Sequence, residues 1–79
     1  MDNTGKKIIQ LIANVLECKE SELTLKSGLL NHYKWDSLSH IMIITELEKE
    51  LSIPISDDMV AQLITIEDII KFVKTNGGK

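Results

Sequence analysis

A chain of 79 residues has room for one domain, which we place at residues 1–79, with an ordered core over about 4–76 and a flexible tail over 77–79. Its composition, 43% hydrophobic and 27% charged, is that of a globular protein rather than a disordered segment. The net charge of -3 argues against a nucleic-acid partner. No apolar run reaches the roughly 18 residues of a membrane span, so we expect a cytoplasmic protein with no membrane partner.

The first predicted element is an amphipathic helix over residues 4–16, where apolar residues recur at spacings of three and four. Residues 17–35 lose this period and predict a long connection, longer than a compact domain usually contains without a function. Four apolar side chains are expected to pin this connection to the core: Leu23, Leu25, Leu29 and Leu30. The single cysteine, Cys18, excludes an internal disulfide and a multi-cysteine zinc site, and its apolar neighbours predict a packing role at the helix end.

A second helix is predicted from Ser37 to about Leu51, because Asp36 is a favoured N-cap and Pro54 disfavours helical geometry in the residue before it. On a helical wheel the core arc contains Ile41, Ile44, Leu47 and Leu51, with Ile43 at its edge. Leu38 and Met42 fall on the opposite side and are expected to be exposed, while Glu48 lies near the core arc with its carboxylate partly exposed.

Two further helices follow in the sequence. Ser56 can cap a short helix over residues 57–63, with acidic residues in its first turn. Thr65 and Asp68 resemble a capping box at the start of a fourth helix, which Asn76 and Gly77 are expected to end. The prediction is an all-α fold, a small four-helix bundle of three longer helices and one short helix, with a long loop between helices 1 and 2.

Asp36-Ser37-Leu38 places a serine hydroxyl in the first turn of the second helix, at the end of a long loop. Free backbone N–H groups and the positive end of the helix dipole favour an anion there, which suits a phosphodiester. Asp36 could help a modifying enzyme to hold a metal ion or to position the hydroxyl. A capping role alone also explains a serine at this place, so the residues by themselves leave modification open.

The chain as a whole resembles the acyl carrier protein family, and the resemblance extends from Lys7 to Val73. It rests on Asp36-Ser37-Leu38, on Leu47-Glu48-Lys49-Glu50-Leu51, on Ile53, Ile55 and Asp57, and on Thr65-Ile66-Glu67-Asp68-Ile69. The resemblance implies a bundle of the acyl carrier type in which Ser37, within the motif that includes Asp36 and Leu38, accepts 4'-phosphopantetheine from coenzyme A through a phosphopantetheinyl transferase (holo-synthase). Such a protein is a monomeric phosphoprotein that holds acyl groups as thioesters and is not an enzyme.

The acidic balance of the middle of the chain predicts the kind of surface that partner enzymes present. From Asp36 to Asp68 there are eight acidic residues and a single base, Lys49, which indicates acyl-loading and acyl-processing partners with basic docking surfaces. The residues expected to bind partners are Leu38, Met42, Glu46, Glu50 and Asp57. That Leu38 and Met42 instead pack beneath the preceding loop is an equal alternative.

Two other functions remain open at this stage. An aminoacyl or peptidyl carrier loaded by an adenylating enzyme uses the same arm, and an unmodified helical interaction module would use Ser37 only as a capping residue. The pathway also stays open among fatty acid biosynthesis and related lipid metabolism, polyketide synthesis and dedicated pathways. The family often has a glycine where Lys34 stands, and carriers of fatty acid synthesis usually have an acid where Met42 stands.

The remaining candidates for chemistry are assigned structural roles. His32 and His40 do not share one helix, and no cysteine or acid cluster is expected beside them, so we predict no metal site. Trp35 is expected to pin the long loop onto the bundle.

Overall fold

The computed structural model describes residues 4–29 and 31–76 and contains four helices in this part of the chain. They are α1 (Thr4–Leu16), α2 (Ser37–Leu51), α3 (Asp57–Gln62) and α4 (Ile66–Asn76), and a 3₁₀ turn at Glu20–Glu22 interrupts the long connection. The predicted all-α bundle of three longer helices and one short helix is therefore confirmed. The roles predicted for Leu30, Gly77 and the tail fall outside the described residues.

One hydrophobic core joins the helices, and it consists almost entirely of Ile, Leu and Val side chains. The first helix packs against both α2 and α4. Its contribution is centred on Ile8 and Ile12, which are completely buried together with Ile43, Leu47, Ile66 and Ile69. Among the described residues, no helix is both long enough and apolar enough to cross a membrane.

Side-chain caps and backbone geometry set the helix boundaries much as the sequence predicts. Ser56 Oγ accepts the Met59 N–H at 3.3 Å, and Thr65 Oγ1 accepts the Asp68 N–H at 3.1 Å, so both predicted caps form. Ser52, with a φ of 54°, is the left-handed residue that ends α2 two positions before Pro54.

The buried face of α2 differs from the predicted arc in one respect. Ile41, expected in the core, is 53% exposed, whereas Ile43, expected at the edge, is completely buried. The difference arises because His40 occupies a core position, with both ring nitrogens hydrogen-bonded, and turns the buried arc away from Ile41. Glu48 remains near the core because its Oε2 accepts the Ile55 N–H at 2.9 Å, which binds α2 to the segment before α3.

The long connection is anchored on the start of α4. The Leu29 N–H donates to the Ile64 carbonyl at 2.8 Å, and the Ile66 N–H donates to the Ser27 carbonyl at 2.9 Å. Leu23 is buried and Leu29 is half-buried against the core, as predicted. The Leu25 side chain is 51% exposed, so the prediction that this side chain pins the loop is wrong, and it is the Leu25 carbonyl that holds the loop by accepting the Glu67 N–H at 2.9 Å. The backbone hydrogen bonds to α4 replace the apolar contact that Leu25 was expected to make.

Candidate functional site

Asp36, Ser37 and Leu38 lie together at the start of α2, and all three side chains are exposed. Asp36 is the N-cap, and its Oδ1 accepts the Ser39 N–H at 2.8 Å. This hydrogen bond from the Ser39 backbone is the main reason why the pKa of Asp36 lies below its ordinary value. The residue before Ser37 is consequently a carboxylate at neutral pH.

The Ser37 hydroxyl is accessible and chemically free for substitution. Within the described part of the chain, no hydrogen bond engages this hydroxyl, and no carbonyl accepts the Ser37 N–H. The amide also lies at the positive end of a helix of 15 residues, which favours a phosphate group nearby. The residues present at this helix start therefore fit a phosphodiester on Ser37.

A buried hydrogen-bonded chain fixes the loop immediately before this serine. Trp35 is 1% exposed, and its Nε1–H donates to His40 Nδ1 at 3.0 Å. An indole nitrogen only donates, so His40 Nδ1 is the acceptor, and Nε2 carries the proton that is donated to the Val60 carbonyl at 2.9 Å. The prediction that Trp35 pins the loop onto the bundle is confirmed, and His40 connects that loop to α3.

Beyond Ser37, the outer face of α2 carries an apolar surface formed by Leu38, Ile41 and Met42, which we call the α2 patch. These side chains are 70%, 53% and 47% exposed, so Leu38 and Met42 do not pack beneath the preceding loop. The exposure of Leu38 and Met42 is as predicted. Ile41 is a member that the sequence reasoning missed, because it was assigned to the core.

An open groove of about 960 Å³ runs between α1 and α2 next to this patch. Ile41 and Met42 line it together with two acidic residues, Glu46 and Glu50. Lys7 of α1 also lines the groove. Lys49, the single base between Asp36 and Asp68, has its Nζ 3.6 Å from Glu46 Oε2. Asp57 is exposed at the start of α3 and does not line the groove. Four of the five residues predicted to bind partners thus lie along one exposed side of α2, and Asp57 lies on another helix.

The structure places His32 differently from the sequence expectation. Its ring lies beside Cys18 and Glu22, so the expectation that neither a cysteine nor an acid accompanies a histidine is wrong. Cys18 is half-buried against the core, in agreement with its predicted packing role. Burial raises the pKa of its thiol, Glu22 raises it further, and Lys34 acts in the opposite direction. No periodic pattern predicts this grouping, because the three residues come from an irregular loop.

Comparison with known proteins settles the family. Residues 6–73 match the family described as "Phosphopantetheine attachment site". The chain belongs to this family. The acyl carrier protein of Treponema denticola is 36% identical over 75 residues, which are 95% of this chain and 96% of the relative. The acyl carrier protein of Porphyromonas gingivalis is 30% identical over 96% of this chain and 97% of its own length, and that of Rickettsia massiliae is 32% identical over 92% and 85%.

Membership of the phosphopantetheine attachment family confirms the resemblance found in the sequence. The protein is a carrier with a 4'-phosphopantetheine prosthetic group, and it is not an enzyme. The family implies interaction with a phosphopantetheinyl transferase and with acyl-processing enzymes. The bound group supplies a terminal thiol for thioester chemistry, and the protein's own residues position that group.

Proposed function

We propose that this protein carries acyl groups as thioesters on a 4'-phosphopantetheine arm attached to Ser37. The observation that carries the proposal is the exposed Ser37 hydroxyl at the N-terminus of α2, within a chain that matches the attachment-site family over most of its length. On transfer from coenzyme A, Ser37 Oγ forms a new bond to the phosphorus next to the pantetheine, adenosine 3',5'-bisphosphate leaves, and the hydroxyl proton passes to a base of the transferase.

The chain's own residues hold this serine ready for modification. Asp36 caps the helix through Ser39, and the buried Trp35 and His40 fix the backbone on both sides of Ser37. The hydroxyl therefore stands on a rigid helix end rather than on a mobile loop. A rigid attachment point with one swinging arm raises the effective concentration of the acyl group at each partner's active site.

Intact-protein mass spectrometry tests the attachment site. The protein is incubated with coenzyme A, magnesium and a broad-specificity phosphopantetheinyl transferase, as the wild type, as Ser37→Ala and as Ser39→Ala. The last variant is a matched control, since Ser39 lies in the same first turn of α2. One phosphopantetheine increment in the wild type and in Ser39→Ala, with none in Ser37→Ala, is the expected result. An increment that persists in Ser37→Ala would refute the assignment.

The chemical identity of the group carried on the arm distinguishes an acyl carrier from an aminoacyl carrier. Holo-protein purified from its native cells is analysed by mass spectrometry before and after cleavage of thioesters with hydroxylamine. A released fatty or other acyl hydroxamate supports the proposal, and a released aminoacyl hydroxamate favours loading by an adenylating enzyme. The relatives named above are acyl carrier proteins, and fatty acid synthesis is the usual pathway of that family, so we place this protein there first.

We further propose that partner enzymes dock with basic surfaces on the α2 patch and the acidic residues around it. Leu38 and Met42 supply exposed apolar area, while Glu46, Glu50 and Asp57 supply negative charge. Electrostatic attraction of this kind raises association rates and weakens as salt increases. Of the acids, Glu48 is already engaged by the Ile55 N–H and is left out of the docking set.

Steady-state kinetics of the transferase reaction test the docking surface. Glu50→Lys is compared with Glu67→Lys, which makes the same charge change on an exposed residue in the first turn of α4. A lower kcat/KM for Glu50→Lys alone, with a smaller salt dependence, is expected. Equal effects in both variants would show that only net charge matters.

We also infer that residues 1–79 form a single carrier domain that acts as a monomer in the cytoplasm. One continuous core joining the described helices supports the single domain. Sedimentation equilibrium of the tag-free protein tests the monomer, and fractionation of the native cells tests the location.

A further inference from the structure

A group of potential metal ligands lies in the connection between α1 and α2, away from the features assigned above. Cys18, Glu22 and His32 each offer one ligand atom, and the three atoms all lie within 4.8 Å of one another. Cys18 stands two residues beyond α1, Glu22 belongs to the 3₁₀ turn, and His32 belongs to the segment that leads to Trp35. We call these three residues the loop cluster. They bring three separate segments of the loop to one point.

The donor set of the loop cluster is characteristic of one class of ion. A thiolate sulfur, an imidazole nitrogen and a carboxylate oxygen together suit borderline-soft divalent cations such as Zn²⁺. Zinc bonds of about 2.0–2.3 Å in tetrahedral geometry put ligand atoms about 3.5 Å apart. Because every pair of ligand atoms lies within 4.8 Å, no pair has to approach by more than about 1.3 Å to reach this spacing. Rotation of the exposed and half-buried side chains provides such a change.

Few existing contacts of these side chains compete with a cation. Glu22 Oε1 accepts the Tyr33 hydroxyl at 3.3 Å, which leaves the second carboxylate oxygen available in the described structure. His32 Nδ1 accepts the Lys34 N–H at 3.2 Å, a long hydrogen bond between neighbours in sequence. Coordination by His32 breaks that single contact.

The backbone that carries the ligands is already held in place. The Cys18 N–H donates to the Ala13 carbonyl at 3.0 Å, the Glu22 N–H to the Lys19 carbonyl at 3.0 Å, and the His32 N–H to the Gly28 carbonyl at 3.2 Å. A cation therefore meets three donors whose main chains need little reorganisation, which lowers the entropic cost of binding.

We propose that Cys18, Glu22 and His32 bind a divalent cation of the zinc class, with solvent as the fourth ligand. Binding releases the Cys18 thiol proton to solvent and leaves the thiolate and the Glu22 carboxylate to balance the two positive charges. Lys34, whose Nζ donates to the Glu17 carbonyl at 2.9 Å, is the nearby cation and stays on that carbonyl. The bound ion connects the end of α1 to the segment before Ser37 and stabilises the long loop. This proposal does not depend on modification of Ser37.

Titration of tag-free, chelator-treated protein with Zn²⁺ and with Co²⁺ tests the site. We expect one ion per chain by calorimetry and a sulfur-to-cobalt charge-transfer band that Cys18→Ser abolishes. Glu22→Gln and His32→Gln should raise the dissociation constant for Zn²⁺ tenfold or more. Glu20→Gln is the matched control, because it neutralises an exposed acid in the same 3₁₀ turn, and Ser37→Ala should bind as the wild type does.

Two results would overturn the proposal. One is a wild-type protein without saturable binding of Zn²⁺ or Co²⁺, and the other is equal affinity in Glu22→Gln and Glu20→Gln. Circular dichroism of each variant establishes that the helices are intact, and the exposed Glu22 provides a substitution that leaves the core untouched. If Cys18→Ser fails to fold, the comparison of Glu22→Gln with Glu20→Gln still tests metal binding.

Discussion

We expect Gly28→Ala, which adds a single methyl group, to destabilise the fold strongly. A Cβ at Gly28 would overlap the Ile64 carbonyl oxygen and would lie 2.9 Å from Thr65 Cα. Both neighbours are backbone atoms, which cannot turn aside as a flexible side chain can. The φ of Gly28 is not positive, so glycine is required here for close approach of two chain segments and not for its conformational freedom.

The size of the effect follows from the contacts that must separate. To make room, the loop has to move away from the start of α4, which breaks the bond from Leu29 N–H to Ile64 O and the bond from Ile66 N–H to Ser27 O. Each costs about 0.5–1.5 kcal/mol net, and overpacking adds about 1–3 kcal/mol. We therefore expect Gly28→Ala to lower the free energy of unfolding by about 2–6 kcal/mol, against about 4–12 kcal/mol in total for a chain of 79 residues.

Urea unfolding followed by fluorescence of the single, buried Trp35 and by circular dichroism measures this loss. Gly5→Ala is the control, since a Cβ there meets only the end of the Ile70 side chain at 3.4 Å. It lies in α1, where alanine favours the helix, so its stability should stay the same or rise by up to about 1 kcal/mol. A Gly28→Ala protein within about 0.5 kcal/mol of the wild type would refute the argument from close approach.

Three further results are expected. Trp35→Phe removes the donor to His40 and leaves a buried acceptor without a partner, so the free energy of unfolding should fall by about 1–3 kcal/mol in urea titrations, and an unchanged value would contradict the buried hydrogen bond. The pKa of Asp36 is lower in the folded state than in the unfolded chain, where it is about 3.9. The Asp36 carboxylate therefore stabilises the protein fully above the unfolded-state pKa, and this contribution is lost as the pH falls through the folded-state pKa. Stability curves of the wild type and Asp36→Ala should therefore converge in acid and separate near neutrality. Alkylation of Cys18 by iodoacetamide at neutral pH should be slower than that of a free cysteine and should accelerate as the pH rises, since its thiol pKa is raised.

The helices could be predicted from the sequence because their signals are local. The caps at Asp36, Ser56 and Thr65 depend on residues within one helical turn, and each forms as predicted. The error on α2 has a tertiary cause, since a wheel drawn from hydrophobicity has no place for a buried histidine whose partners, Trp35 and the Val60 carbonyl, lie elsewhere in the chain.

The candidate site also combines features that local sequence signals predict with features that depend on tertiary contacts. The triplet around Ser37 is contiguous and lies at a predicted helix start, so both its position and its exposure could be read from the sequence. The loop cluster could not be predicted, because a 3₁₀ turn and backbone hydrogen bonds bring its three members together. No periodic pattern in the sequence predicts these features. The hydrogen bond of Glu48 could not be predicted from the sequence either, since its partner is a backbone N–H seven residues away.

The short helix α3 is attached to the bundle in a way that sets its own stability. None of its six residues is buried. It is tethered by two side chains of α2, with His40 reaching the Val60 carbonyl and Glu48 reaching the Ile55 N–H just before the helix. A segment with so little buried apolar area opens at a free energy far below that of global unfolding. In native-state hydrogen exchange, the amides of α3 should therefore exchange well before those of α1 and α4. The helix that carries Ser37 is thus held by the buried core, whereas α3 is the side of the bundle that can open while the other helices stay folded.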